Sequence, residues 1–108
     1  MNKNNFRILF GEDLEKFIFG LKKETIAKIL RTIDLLENFG NKLSMPHSKK
    51  VIGNLFELRV RGQIEVRIFY VFYKGNIVLL HGFVKKTQKI PPKELFIAQK
   101  KEKELDII

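Results

Sequence analysis

Arginines recur with strand spacing in the segment NLFELRVRGQIEVRIFY, at Arg59, Arg61 and Arg67. Successive side chains of an extended strand point to opposite faces, so Phe56, Leu58 and Val60 share one face while Glu57, Arg59 and Arg61 share the other. After a short turn the alternation resumes, with Val66, Ile68, Tyr70 and Phe72 set against Glu65 and Arg67. A third guanidinium thus joins the same sheet. A guanidinium offers a planar fork of donors and keeps its charge at any working pH, so an ordered set of them is a surface that attracts phosphate.

The elements that must position these side chains follow from periodicity and punctuation. Three strands, about 54–61, 64–73 and 76–84, are separated by the short turns Arg61-Gly62-Gln63 and Lys74-Gly75-Asn76, and antiparallel pairing is the simplest arrangement. Upstream, Phe6–Phe10 is a short apolar, β-prone run closed by Gly11, and a helical pattern begins around Asp13. From Lys22 to Phe39 the residues Ile26, Ile29, Leu30, Ile33, Leu35 and Leu36 form a helix stripe that Gly40 ends. Asn41–Gly53 has a proline and little periodicity, which predicts a loop crossing back to the sheet and carrying Lys49 and Lys50. Pro91-Pro92 interrupts the strand pattern, and Lys93–Leu105 reads as a charged helix with Leu95, Ala98 and Phe96 turned inward. The predicted order is β-α-α-β-β-β-α, an α+β fold whose mainly antiparallel sheet is packed by helices, in a single domain over 1–108.

Composition narrows the function classes. A chain of 108 residues that is 44% hydrophobic fits one compact domain and leaves no room for a separate catalytic one. The formal net charge of +9 favours RNA, DNA or an acidic protein partner over an acidic ligand. The lack of cysteine removes disulfides, thiolate metal sites and cysteine nucleophiles, and agrees with a reducing interior. No apolar run approaches the roughly 20 residues of a membrane helix, and the N-terminus lacks a signal-peptide core, so a soluble, cytoplasmic protein without membrane contact is expected. No helix-turn-helix pattern with a basic recognition helix is evident, so DNA binding by the chain itself is not expected.

The strings MPHSKK, GNLFELRVRG, RIFY and LLHGFVKKTQKIP, in this order of elements, resemble the RelE/HigB superfamily of toxins from bacterial type II toxin–antitoxin systems. The likeness is closest to the phage-derived HigB-type branch and runs from Phe6 to about Leu105. It implies a RelE-like fold and an endoribonuclease that cuts messenger RNA in the ribosomal A site. It also implies silencing by a small helix-turn-helix antitoxin of the HigA type, with DNA contacted only through that partner. Neither metal nor other cofactor is implied.

Cleavage of this kind has the ribose 2′-hydroxyl attack the adjacent phosphate, so the protein must help remove a proton, neutralise the phosphate and protonate the leaving oxygen. On the resemblance, Arg67 at the head of RIFY matches the transition-state arginine, Arg59 a strand position often basic in relatives, and Lys85 and Lys86 the basic pair ending the last strand. Relatives differ in their acid and base, some using glutamate and histidine, others lysines with a tyrosine near the C-terminus. Here that tyrosine is missing, because Ile90-Pro91-Pro92 occupies the neighbourhood. An imidazole can both accept and donate near neutral pH, which makes His81, just before Lys85-Lys86, the better placed candidate. His47 lies in the preceding loop, and Glu57 and Glu65 are further candidate bases, each followed at i+2 by arginine. Catalytic candidates are therefore Arg67, Arg59, His81 and Lys86, with Lys49, Lys50, Arg61, Lys85 and Lys89 as RNA contacts.

Each assignment has a plainer reading. The arginines could be surface partners of Glu57 or Glu65, His81 a strand histidine satisfied within the core, and Lys85 and Lys86 guards of an edge strand. Phe69, Phe72 and Tyr73 are core residues more readily than base-stacking platforms. A binding module of the same fold, holding RNA or an antitoxin without cutting, is the alternative to the nuclease.

Overall fold

The computed structural model describes residues 6–105. Strand β1 (Arg7–Phe10) leads into helices α1 (Glu12–Phe19) and α2 (Lys23–Phe39). After a single 3-10 turn (Gly40–Lys42) come β2 (Ser48–Ile52), β3 (Leu55–Val60), β4 (Glu65–Tyr73) and β5 (Asn76–Lys85), and α3 (Pro92–Leu105) closes the chain. The sheet order is β1-β5-β4-β3-β2, with β1 parallel to β5 and every other pair antiparallel. The α+β class and the meander are as expected from the alternation. No helix among the described residues is long and apolar enough to cross a membrane.

One element departs from expectation. Residues 48–52, predicted as part of a loop, form edge strand β2, paired antiparallel with β3 through Ser48 opposite Leu58 and Lys49 opposite Glu57. Its sequence, SKKVI, has too few apolar residues to display alternation, and its ladder with β3, which no local pattern encodes, makes it a strand. The irregular register between Lys50 and Ile52 marks where the pairing bends.

The sheet is covered on both faces, which explains why its central strands are apolar on both. On one face Leu58, Val60, Val66, Ile68 and Tyr70 pack under α1 and α2, whose Leu14, Ile18, Ile29 and Leu36 are buried against them. Fully burying a side chain of this size contributes about 1.5–3 kcal/mol. Leu30, expected in the inward stripe, is 44% exposed, because Thr32 and Ile33 complete the buried face with Ile29 and Leu36 and leave position 30 turned away. On the opposite face Phe69, Val71, Leu80, Phe83 and Leu55 pack with Ala98 of α3, and Leu95 is partly buried there. Phe96 is 65% exposed, correcting its inward placement: Leu95 and Ala98, three residues apart, define the buried face and position 96 lies off it.

Two local features set the working face of β5. Lys74 and Gly75 both have positive φ, 50° and 81°, so a two-residue turn of the type that suits twisted strands joins β4 to β5. Farther along, the β4–β5 ladder shifts register: Tyr70 lies opposite Leu79 but Phe69 lies opposite His81, leaving Leu80 as an extra residue. That bulge reverses the alternation, and His81, Phe83 and Lys85 come onto the face of Phe69 and Arg67. Gly82 falls on the helical face instead, where a Cβ would sit 2.9 Å from both Leu14 Cδ1 and Phe17 Cε2, so its lack of a side chain lets α1 approach.

Candidate active site

Cross-strand pairing lines the α3 face with three rows of chemistry-bearing residues. Lys49, Glu57, Phe69 and His81 form the first row, Arg59, Arg67 and Phe83 the second, and Glu65 with Lys85 the third. Residues within a row are nearest neighbours, and diagonal ones lie about 7–8 Å apart by Cα, so Arg67 and His81 are diagonal neighbours on this face. Arg59, Arg67, His81, Glu57, Glu65 and Lys85, separated by up to 28 positions in sequence, thus meet on one surface.

Charge on this surface is paired, not free. Glu57 sits between the two arginines, with Oε1 3.5 Å from Arg67 Nε and Oε2 3.7 Å from Arg59 Nε. Arg67 Nη2 donates to Glu65 Oε1 at 2.9 Å. Arg67 is only 1% exposed and Glu57 5%, so the middle of this chain of charges is buried, where the plain pattern of alternation predicted an open platform. The reason is that β3 and β4 are interior strands of a sheet covered on both sides. Arg67 Nε and Nη1 make no hydrogen bond among the described residues. The Arg67 guanidinium beside Glu65 holds that carboxyl below the usual carboxylate range, with Arg61 and Lys85 adding to the effect, so Glu65 is a weak proton acceptor at neutral pH.

His81 is half-buried, and its Nε2 lies 2.6 Å from Glu94 Oε1 in the first turn of α3. Its ring stacks on Phe83 at a centroid distance of 6.3 Å and an interplanar angle of 18°. Glu94 is the site residue that sequence reasoning missed. A signal existed: Glu94 and Ala98 stand four apart on one helix, and Ala98 was expected inward, which puts Glu94 above the same face.

The remaining candidates divide. Lys49 lies on the site face opposite Glu57, whereas Lys50, its neighbour in an extended strand, points to the other face with Nζ 5.9 Å from the Phe56 ring. The expectation that both serve one surface is corrected by strand alternation. Lys85 Nζ donates to the carbonyls of Thr87 and Gln88, which ties down the segment after β5, while Lys86 and Lys89 are exposed on that segment. His47 stands in the turn before β2, where its carbonyl accepts from the Arg59 amide at 2.8 Å. Together with Arg59, Arg61, Lys28 and Arg31 it lines a groove of about 480 Å³ between α2 and the sheet edge. Phe69 is fully buried and Tyr73 donates to the Leu105 carbonyl at 2.9 Å, so both are structural.

Comparison with known proteins agrees with this architecture. No curated protein matches the chain. Among solved structures it is similar to the archaeal RelE–RelB complex from Pyrococcus horikoshii OT3, at 19% identity and a TM-score of 0.52 over 80% of this chain and 99% of that one. Residues 16–103 match the family of phage-derived Gp49-like proteins. The fold is therefore that of the RelE–RelB neighbour, and the chain belongs to the phage-derived Gp49-like family.

Proposed function

We propose that this chain is the toxin of a type II toxin–antitoxin pair and acts as a ribosome-dependent endoribonuclease on messenger RNA. The observation that carries the reading is the cross-strand pairing of Arg59 with Arg67 on the face that also bears His81. Two guanidiniums on adjacent strands can bracket one phosphate, and Nε and Nη1 of Arg67, buried without a hydrogen-bond partner among the described residues, would donate to a phosphoryl oxygen that displaces Glu57 and opens the face. In the proposed step His81 accepts the proton of the ribose 2′-hydroxyl and the 2′-oxygen bonds to the adjacent phosphorus. The bond from phosphorus to the 5′-oxygen breaks and that oxygen takes a proton from water, producing a 2′,3′-cyclic phosphate and a 5′-hydroxyl. Arg67 and Arg59 balance the charge of the pentacoordinate phosphate, with Lys86 at the rim. Lys49, Arg61 and Lys89 hold the flanking strand by charge. The step as written uses no metal or other cofactor. Of the other candidate bases, Glu57 is engaged by both arginines, Glu65 by Arg67, and His47 stands with the groove at the sheet edge.

A helix-turn-helix antitoxin of the HigA type is the proposed partner, blocking the basic face and supplying any DNA contact. The second reading, an RNA- or antitoxin-binding module without cleavage, draws support from the burial of Arg67 between two carboxylates, which leaves it little free charge. Expression of the chain alone in a bacterial host separates the two. The nuclease arrests growth and shortens the half-life of translated messages, and a helix-turn-helix partner relieves both. Normal growth with undiminished messages favours the module.

A further inference from the structure

We propose that Glu94 is a positioning residue for His81: its carboxylate fixes the imidazole's tautomer and orientation so that Nδ1 is the lone-pair acceptor offered to the site. The inference rests on the proposed role of His81 in proton transfer, which concerns the nuclease reading above. Its physical basis is independent of that reading. A carboxylate only accepts hydrogen bonds, so the 2.6 Å contact requires Nε2 of His81 to carry the hydrogen. With Nε2 spent, the neutral ring has one remaining acceptor, Nδ1. The contact adds a polar tie between α3 and β5, which also pack through Ala98.

Both sides of the contact are built. On β5 the extra residue Leu80 turns His81 onto the α3 face, and stacking on Phe83 limits ring rotation. On α3 the residue Pro92 opens the helix, the amides of Glu94 and Leu95 bond to the Pro91 carbonyl, and burial of Ala98 seats the helix against the sheet. A glutamate in a first helical turn is favoured there by the exposed amides of its own helix. This one instead spends its carboxylate on a side chain 13 residues away. Once the ring takes up a proton at Nδ1, the same carboxylate faces an imidazolium and stabilises it, the arrangement by which a carboxylate assists a histidine base.

The test uses the full chain and two readouts. Long-range proton–nitrogen NMR correlations of the His81 ring are expected to show the Nε2–H tautomer in the wild type and a mixture in Glu94→Gln, whose amide can both donate and accept. Dispersed spectra and an unchanged melting temperature establish that the variant is folded. In message cleavage, Glu94→Gln and Glu94→Ala are expected to lower kcat about 10–100-fold with KM unchanged. The proposal is overturned if Glu94→Gln keeps the wild-type tautomer, or if it cuts at the wild-type kcat while His81→Ala has lost cleavage. Should His81→Ala cut normally, the role of His81 in the nuclease reading falls, and the NMR result alone decides whether Glu94 governs the ring.

Discussion

Arg59 and Arg67 stand directly opposite one another on neighbouring strands, and the carboxylate of Glu57 reaches both, 3.7 Å from one Nε and 3.5 Å from the other. Two like charges placed in register repel unless something lies between them, and Glu57 with Glu65 fills that need. The two carboxylates thereby balance both guanidiniums within the folded chain; under the proposed function they stand where an RNA phosphate would.

Removing one member of this buried chain leaves its neighbour unpaired. Arg67→Ala is expected to lower unfolding free energy by about 3–5 kcal/mol in urea titration, and the double variant Glu57→Leu, Arg67→Met to recover most of it. Equal loss in single and double variants would mean that packing volume, not charge pairing, sets the cost.

Acid titration tests the Glu65–Arg67 contact. Because the folded-state pKa of Glu65 is lowered, its contribution is fully present above the unfolded carboxylate value of about 4.3 and is lost as pH falls through the folded one. Thermal melts should therefore decline below that value, and Glu65→Gln should flatten the decline. An unaltered acid limb in Glu65→Gln would contradict the contact.

Alkaline titration tests the opposite sign at Tyr70. Burial pushes its phenol up despite the hydroxyl contact with Ser48, so the folded state holds the proton more tightly. Stability from this group is complete below the unfolded value of about 10 and is lost as pH rises through the folded value. Tyr70→Phe should melt with a shallower alkaline limb than the wild type, and an equally steep limb would count against it.

Close approach of α1 to β5 depends on Gly82. Gly82→Val forces a branched side chain into space held by Leu14 and Phe17 and is expected to cost about 1–3 kcal/mol, measured by denaturant midpoint. A neutral outcome would show that α1 yields freely.

Much of this arrangement was legible in the residues. Alternation alone sorted Glu57, Arg59, Glu65 and Arg67 onto one face and Leu58, Val60, Val66 and Ile68 onto the other, because a period of two is local information. What alternation does not carry is pairing. The strand at Ser48–Ile52 exists through β3, the turning of His81 exists through an extra residue at Leu80, and the partnership of His81 with Glu94 exists through the docking of α3. Burial of Arg67 was hidden for the same reason: a strand residue's exposure is decided by what covers the sheet.

The central claim is that Arg59, Arg67 and His81 together carry message cleavage. Its most direct measurement is cleavage of a ribosome-bound message in a translating extract, mapped to the nucleotide, for wild type, Arg59→Ala and His81→Ala. Arg59 is chosen because it is half-buried where Arg67 is fully buried, so its loss disturbs folding less than loss of Arg67. A charge-assisted hydrogen bond contributes about 1.5–3 kcal/mol, so Arg59→Ala should cut at least about tenfold more slowly, with His81→Ala slower still. Wild-type rates in both folded variants would contradict the account.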